Sequence, residues 1–324
     1  MSPLLIAIIV VFVGLVLLVW SADRLIFGAS TVARYTGISP MLIGLTIVAL
    51  GTSMPEILVS SIAAYKGHLS TAVGNALGSN IINILLIIGL AALLKPIRVT
   101  SLTIKREYPL LVAATLLAYF FLSDHFLSRI EGLILIAAFF SFIIFMVYCA
   151  RTIAVDDPLM QDINNEESPP ISLGQAIFWF VLGMLLLLAA SQLLVHGSVY
   201  IARYIGVSDL VIGLSIVALG TSLPELATSI VGIIKGEVDL ALGNIIGSNI
   251  INILAVLGIS AIIAPGVIDP QASNQDSYIM IAATIILLLM SLRHSRQPRL
   301  SKFEGLFLLT AFIAYQYFLF SSFA

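Results

Sequence analysis

Charge is scarce in this sequence: Lys, Arg, Asp and Glu make up 10% of 324 residues, against roughly 25% in a soluble domain. With 60% hydrophobic residues and a mean hydropathy of +1.12, a water-facing surface cannot be assembled, and a soluble fold is not expected. Cysteine occurs once, at Cys149, so no intrachain disulfide can form and the redox compartment is not legible. The net charge is −2 and there is no basic arm, which argues against nucleic acid as a partner. His-Glu-x-x-His and Gly-x-Ser-x-Gly are both missing, so no enzyme activity is expected. No Lys or Arg precedes the first apolar stretch, which therefore lacks the basic start of a cleavable signal and is expected to stay in the mature chain.

Apolar runs dominate instead, each near the ~17–25 residues that a bilayer requires. They fall near 4–20, 40–65, 69–94, 108–122, 130–148, 173–195, 209–234, 238–264, 278–292 and 303–321. Ten spans divide the connecting segments into two sets. One holds Lys66, Arg129 and Arg203; the other holds Arg24, Arg34, Lys95, Arg98, Lys105, Arg106, Arg151, Lys235, Arg293, Arg296, Arg299 and Lys302, a split of 3 to 12. Short segments rich in Lys and Arg stay cytoplasmic, so both termini are expected outside.

The chain repeats itself. Residues 44–56 read GLTIVALGTSMPE, and GLSIVALGTSLPE follows 169 positions later at 213–225. The same offset relates AVGNALGSNIINIL from Ala72 to ALGNIIGSNIINIL from Ala241, and aligns Gly14 with Gly183, Gly28 with Gly197 and Arg34 with Arg203. This spacing predicts a first repeat at 1–150, a cytoplasmic linker at 151–172 and a second repeat at 173–324. Five spans per repeat is an odd number, so the second enters the membrane from the opposite side. The expected fold is an all-α integral membrane protein of ten transmembrane helices in two inverted five-helix repeats, a plan that secondary transporters use to hold substrate near the midplane. The linker, with Asp156, Asp157, Glu166, Glu167 and Pro169-Pro170, reads as a solvated hinge.

Each repeat interrupts a membrane-depth helix with polar chemistry. Pro55 has no N–H for the Gly51 carbonyl and its ring clashes there, so the helix should break or kink. Irregular backbone is tolerated at that depth only where it lines a cavity or is buried in protein. Thr52 and Glu56 share a face, and Thr221, Ser222, Pro224 and Glu225 repeat the pattern. In the partner segments Gly74 and Gly78, with mates Gly243 and Gly247, form small-residue faces for close helix approach. Ser79 with Asn83, and Ser248 with Asn252, add polar groups four residues apart. Intramembrane acids are costly and read as functional, so Glu56 and Glu225 lead the candidates. The donors are oxygens and amides without Cys or His, a set for hard cations such as calcium and sodium. One calcium or two sodium ions neutralise two carboxylates, and that competition is the physical basis of antiport.

On Gly51-Thr52-Ser53-Met54-Pro55-Glu56 with Gly78-Ser79-Asn80-Ile81-Ile82-Asn83, and on their repeats, the chain resembles the cation/calcium exchanger superfamily, specifically the bacterial calcium/sodium antiporters. The resemblance spans essentially the whole chain. It implies ion sites at the centre of the ten-helix fold, formed by Thr52, Ser53, Glu56, Ser79 and Asn83 with the Ala49 carbonyl, and by Thr221, Ser222, Glu225, Ser248 and Asn252 with the Ala218 carbonyl. It also implies transported Ca2+ and Na+ without a cofactor, and a lipid-embedded monomer in a bacterial inner membrane. Several sodium/calcium exchangers have Asp where this chain has Asn252, so stoichiometry and the choice of sodium or proton as driving ion stay open. A proton-driven cation antiporter and a passive cation channel are the alternatives; the inverted repeats with midplane acids favour a carrier over a channel.

Overall fold

The structure, a computed structural model, describes residues 2–100, 103–152, 171–206, 216, 218–293 and 298–321. Helix α1 (Pro3–Thr36) starts with Ser2 Oγ accepting from Leu5 N and ends at Gly37, whose φ of 66° suits glycine. At 34 residues it is about 51 Å long, well beyond the expected end near residue 20. Asp23, Arg24 and Arg34 are compatible with a helix, and no proline interrupts it before Gly37.

The chain continues through α2 (Pro40–Thr52) and α3 (Met54–Tyr65), bent by 43° at Ser53, and α4 (Leu69–Leu94). Then come α5 (Tyr108–Leu122) and α6 (Arg129–Thr152). The second half supplies α7 (Leu173–Tyr204), α8 (Ala218–Thr221), α9 (Leu223–Lys235), α10 (Val238–Ile263), α11 (Ser277–Arg293) and α12 (Lys302–Ser321). Like α1, α7 outruns its expected span, which ended near 195. Among the described residues, six helices are each long and apolar enough to cross a membrane, and the bent α2–α3 pair makes a seventh. The linker acids and Pro169-Pro170, Gly213 to Ser215, Val217 and most of the first part of the 209–234 span lie outside the described residues.

Corresponding elements of the two halves contact each other reciprocally. Gly14 of α1 lies against Ala190 and Leu194 of α7, while its mate Gly183 lies against Ser21 and Leu25. Gly28 meets Ala176 and Phe180, and its mate Gly197 meets Ala7 and Val11. Contacts that move backward along α7 as they move forward along α1 make the two helices antiparallel. Glycine permits this close approach, since an added Cβ would strike backbone atoms. Gly132 of α6 packs on Gly258 and Ala261 of α10, and Gly305 of α12 packs on Gly89 and Ala92 of α4 in the same way.

Four two-residue strands follow this exchange: β1 (Ile97–Arg98) pairs with β4 (Arg299–Leu300), and β2 (Phe126–Leu127) pairs with β3 (Gly266–Val267), both antiparallel. The caps that start α6 and α12 also match. Ser128 N donates to Glu131 Oε2 at 2.7 Å, as Ser301 N does to Glu304 Oε2. These caps stand 173 residues apart, so four residues have entered the second half after α11.

The apolar interior has two main parts. The larger surrounds α4 and α10 and includes Leu77, Ile84, Ile88, Ile245 and Leu257. The second lies under the α1–α7 pair, joining Leu25, Ile26, Leu187 and Ala190 to Ile43, Val48 and Leu240. Beyond it, α1 is tied to the α9–α10 turn by Asp23 with Lys235 and by Ser30 Oγ donating to Glu237 Oε1 at 2.6 Å.

Candidate ion-binding site

The interruption at Pro55 is a kink at Ser53. Ser53 leaves helical geometry with φ −82° and ψ 5°, and its mate Ser222 has φ −89° and ψ 7°. Pro55 and Pro224 then sit in the first turn of α3 and α9, where a missing N–H costs nothing. The Ala49 carbonyl is engaged within its own turn, accepting from Ser53 N at 3.0 Å and Thr52 Oγ1 at 3.3 Å. Ala218 opens α8, the matching turn of the second half.

Glu56 and Glu225 are both buried, and each is met by the other half of the chain. Ser53 Oγ donates to Glu225 Oε1 at 3.1 Å, and Ser222 Oγ donates to Glu56 Oε1 at 3.2 Å. Thr221 accompanies Ser222 at Glu56, as Thr52 accompanies Ser53 at Glu225. Ser248 Oγ adds a third donor to Glu225 Oε1 at 3.3 Å, and Ser222 Oγ lies 3.4 Å from Ser79 Oγ. Thr52 Oγ1 lies 3.4 Å from Ser248 Oγ and donates to Asn244 Oδ1 at 3.0 Å. The second oxygens, Glu56 Oε2 and Glu225 Oε2, have no hydrogen-bond partner among the described residues. Buried carboxylate oxygens without donors carry a large desolvation cost, which a bound cation relieves.

Beside the carboxylates lie Asn83 and Asn252, each at the edge of a wide π-helical turn, Ile82–Ile88 and Asn252–Leu257. Such turns recur at functional sites because they re-aim side chains. Asn83 Nδ2 donates to Asn249 Oδ1 at 3.0 Å, while Asn83 Oδ1 and both polar atoms of Asn252 are without partners among the described residues. The structure thus joins Thr52, Ser53, Glu56 and Ser79 to Ser222, Glu225 and Ser248 through hydrogen bonds, with Asn83 linked to Asn249.

Sequence reasoning missed Ser60 and Ser229. Asn75 Nδ2 donates to Ser60 Oγ at 2.9 Å and Asn244 Nδ2 to Ser229 Oγ at 3.5 Å, bracing α4 on α3 and α10 on α9. Both serines share the 169-residue offset, the signal that would have found them. Gly243 and Gly247 press on the backbone of Met41 to Leu45, while the repeat mates of those residues, 210–214, lie outside the described residues.

Hydroxyl, carboxylate and carboxamide oxygens supply this site, and among the described residues no three His, Cys, Asp or Glu cluster as a soft-metal site would require. Buried hydroxyl, carboxylate and carboxamide oxygens shared by two apolar helical halves suit a membrane cation transporter. The chain belongs to the sodium/calcium exchanger protein family, whose model matches residues 6–148 and 175–321. CaxA of Alkalimonas amylolytica is 62% identical over 98% of this chain and 100% of its own length. The sodium/calcium exchanger MaX1 of Methanosarcina acetivorans is 30% identical over 95% of this chain and 96% of its own. The solved sodium-calcium exchanger NCX_Mj, soaked without Na+ and Ca2+, is 28% identical and superposes with a TM-score of 0.82 over 98% of this chain and 100% of that one. The chain is therefore a multi-pass membrane protein of a cation/calcium antiporter family, and its family and neighbours are transporters rather than enzymes.

Proposed function

We propose that this protein is a secondary active antiporter that exchanges Na+ for Ca2+ by alternating access. The observation that carries this reading is the crossed pairing of Ser53 with Glu225 and Ser222 with Glu56. A site whose ligands come from both halves is altered by any movement of one half against the other, which couples ion binding to access. The ligands are Thr52, Ser53, Glu56, Ser79, Asn83, Thr221, Ser222, Glu225, Ser248 and Asn252, with the Ala49 and Ala218 carbonyls completing the cage. The likeness to NCX_Mj, solved for structural mechanisms of extracellular ion exchange, supports reading this state as open on the outer side.

The architecture we propose is ten spans in two inverted repeats, 1–150 and 173–324, joined by a cytoplasmic linker at 151–172. The antiparallel α1 and α7 support it, and so do the contacts between loops. Strand pairs β1–β4 and β2–β3 each join segments that the basic-residue split assigns to one face, and Asp23 meets Lys235 within the cytoplasmic set. In intact cells, cysteines introduced near Ser2 and Ser322 should react with an impermeant thiol reagent and one near Asn164 should not. Labelling of Asn164 alone would reverse the orientation.

Radiolabelled calcium uptake into proteoliposomes tests the exchange itself. An outward sodium gradient should drive uptake, and a proton gradient alone should not. Uptake driven only by protons would replace sodium as the coupling ion. Flux that needs no counter-ion gradient would make the protein a channel.

A further inference from the structure

Four asparagines, Asn80, Asn83, Asn249 and Asn252, are buried on α4 and α10, none more than 1% exposed. Asn249 is the repeat mate of Asn80, and Asn252 that of Asn83. Their hydrogen bonds are one-sided. Asn83 Nδ2 donates to Asn249 Oδ1 at 3.0 Å, and Asn80 Nδ2 donates to the Asn249 backbone carbonyl at 3.2 Å. The mirror-related bonds would run from Asn252 Nδ2 to Asn80 Oδ1 and from Asn249 Nδ2 to the Asn80 carbonyl. Neither is made, and the three side-chain atoms they require, Asn252 Nδ2, Asn80 Oδ1 and Asn249 Nδ2, are buried without partners among the described residues.

A carboxamide helps a cation only when it presents oxygen, because its NH2 end repels positive charge. The bond to Asn249 occupies the nitrogen of Asn83 and leaves Oδ1 as its free end, the work of an outer partner that orients a ligand. Asn252 has no such partner in this arrangement. If two halves with matching residues exchange conformations, the bond made by one half in one state is made by the other half in the opposite state.

We propose that Asn80 and Asn249 are positioning residues that act in turn, Asn249 orienting Asn83 in the state described here and Asn80 orienting Asn252 in the oppositely facing state. The inference rests on the reading of Asn83 and Asn252 as cation ligands and of this state as open outward. It gives each positioning residue a sidedness that a purely structural role does not have.

The experiment measures the calcium concentration for half-maximal exchange in right-side-out and inside-out membrane vesicles. Asn249→Leu should raise it about tenfold from the extracellular side with little change from the cytoplasmic side, and Asn80→Leu should do the reverse. Asn249→Asp keeps the acceptor oxygen and should hold the extracellular value at or below that of the unsubstituted protein. If a leucine variant does not yield monodisperse protein, Asn249→Ser and Asn80→Ser, too short to reach their partners, take its place. Equal effects on both sides, or no effect, would overturn the proposal while exchange by the unsubstituted protein left the antiporter reading intact. An unsubstituted protein without exchange would overturn both.

Discussion

Replacing Glu56 or Glu225 with Gln should abolish calcium exchange while leaving the protein folded. Glutamine preserves the shape of the side chain and an oxygen that can accept from Ser222 or Ser53, so the crossed contacts between halves can persist. What it removes is one of the two negative charges that compensate a divalent ion. Both acids are buried and each has one oxygen without a donor among the described residues, so water is poorly placed to replace the lost charge. Removing one partner of a buried charge pair costs about 3–5 kcal/mol, which is roughly two to four orders of magnitude in binding at 1.4 kcal/mol per tenfold. Radiolabelled calcium exchange in proteoliposomes should fall to background for either variant, with an unchanged size-exclusion profile. Normal exchange by both single variants would end the shared-site reading. Because the Glu56 site draws its donor from Ser222 and the Glu225 site from Ser53, the two losses should be alike, whichever repeat carries the substitution.

Gly247→Val should lose most of the folded protein. At Gly247 an added Cβ would run into the Leu45 carbonyl and would also lie 2.7 Å from the Ala49 Cβ. These atoms belong to α2, which is held by its own helical hydrogen bonds and cannot yield locally. Overpacking a tight interior costs about 1–3 kcal/mol, and a clash with backbone on one side and a second helix on the other belongs at the upper end. A thermal melt in detergent should show the loss against the unsubstituted protein, and an unchanged melt would show that α2 yields at Leu45 and Ala49.

Much of the hydrogen-bonded cluster of the candidate site was readable from the chain alone because its signals are local. Burial of an acid in an apolar run, a proline that removes a helical N–H, and polar side chains four residues apart each have one physical meaning wherever they occur. The repeat then doubled every inference, from Thr52 and Glu56 to Thr221 and Glu225. Helix ends were less legible: hydropathy stops near residue 20, but the α1 backbone is satisfied as far as Gly37, and hydrogen bonding rather than hydrophobicity decides where a helix stops. Ser60 and Ser229 escaped notice because a serine in a helix is unremarkable until Asn75 or Asn244 is seen beside it.

The sequence by itself determined the apolar spans, the duplication, the uneven placement of basic residues and the oxygen character of the motif side chains. Only the tertiary structure decided that each repeat's serine serves the other repeat's glutamate, that Gly247 is pressed on Leu45 and Ala49, and that Asn83 has found Asn249 while Asn252 has not found Asn80. The physical reason is symmetry. Two nearly identical segments carry nearly identical local preferences, so nothing within either one distinguishes its role. The difference arises only when the two halves pack together in one of two related ways, through contacts more than 160 residues apart in the chain.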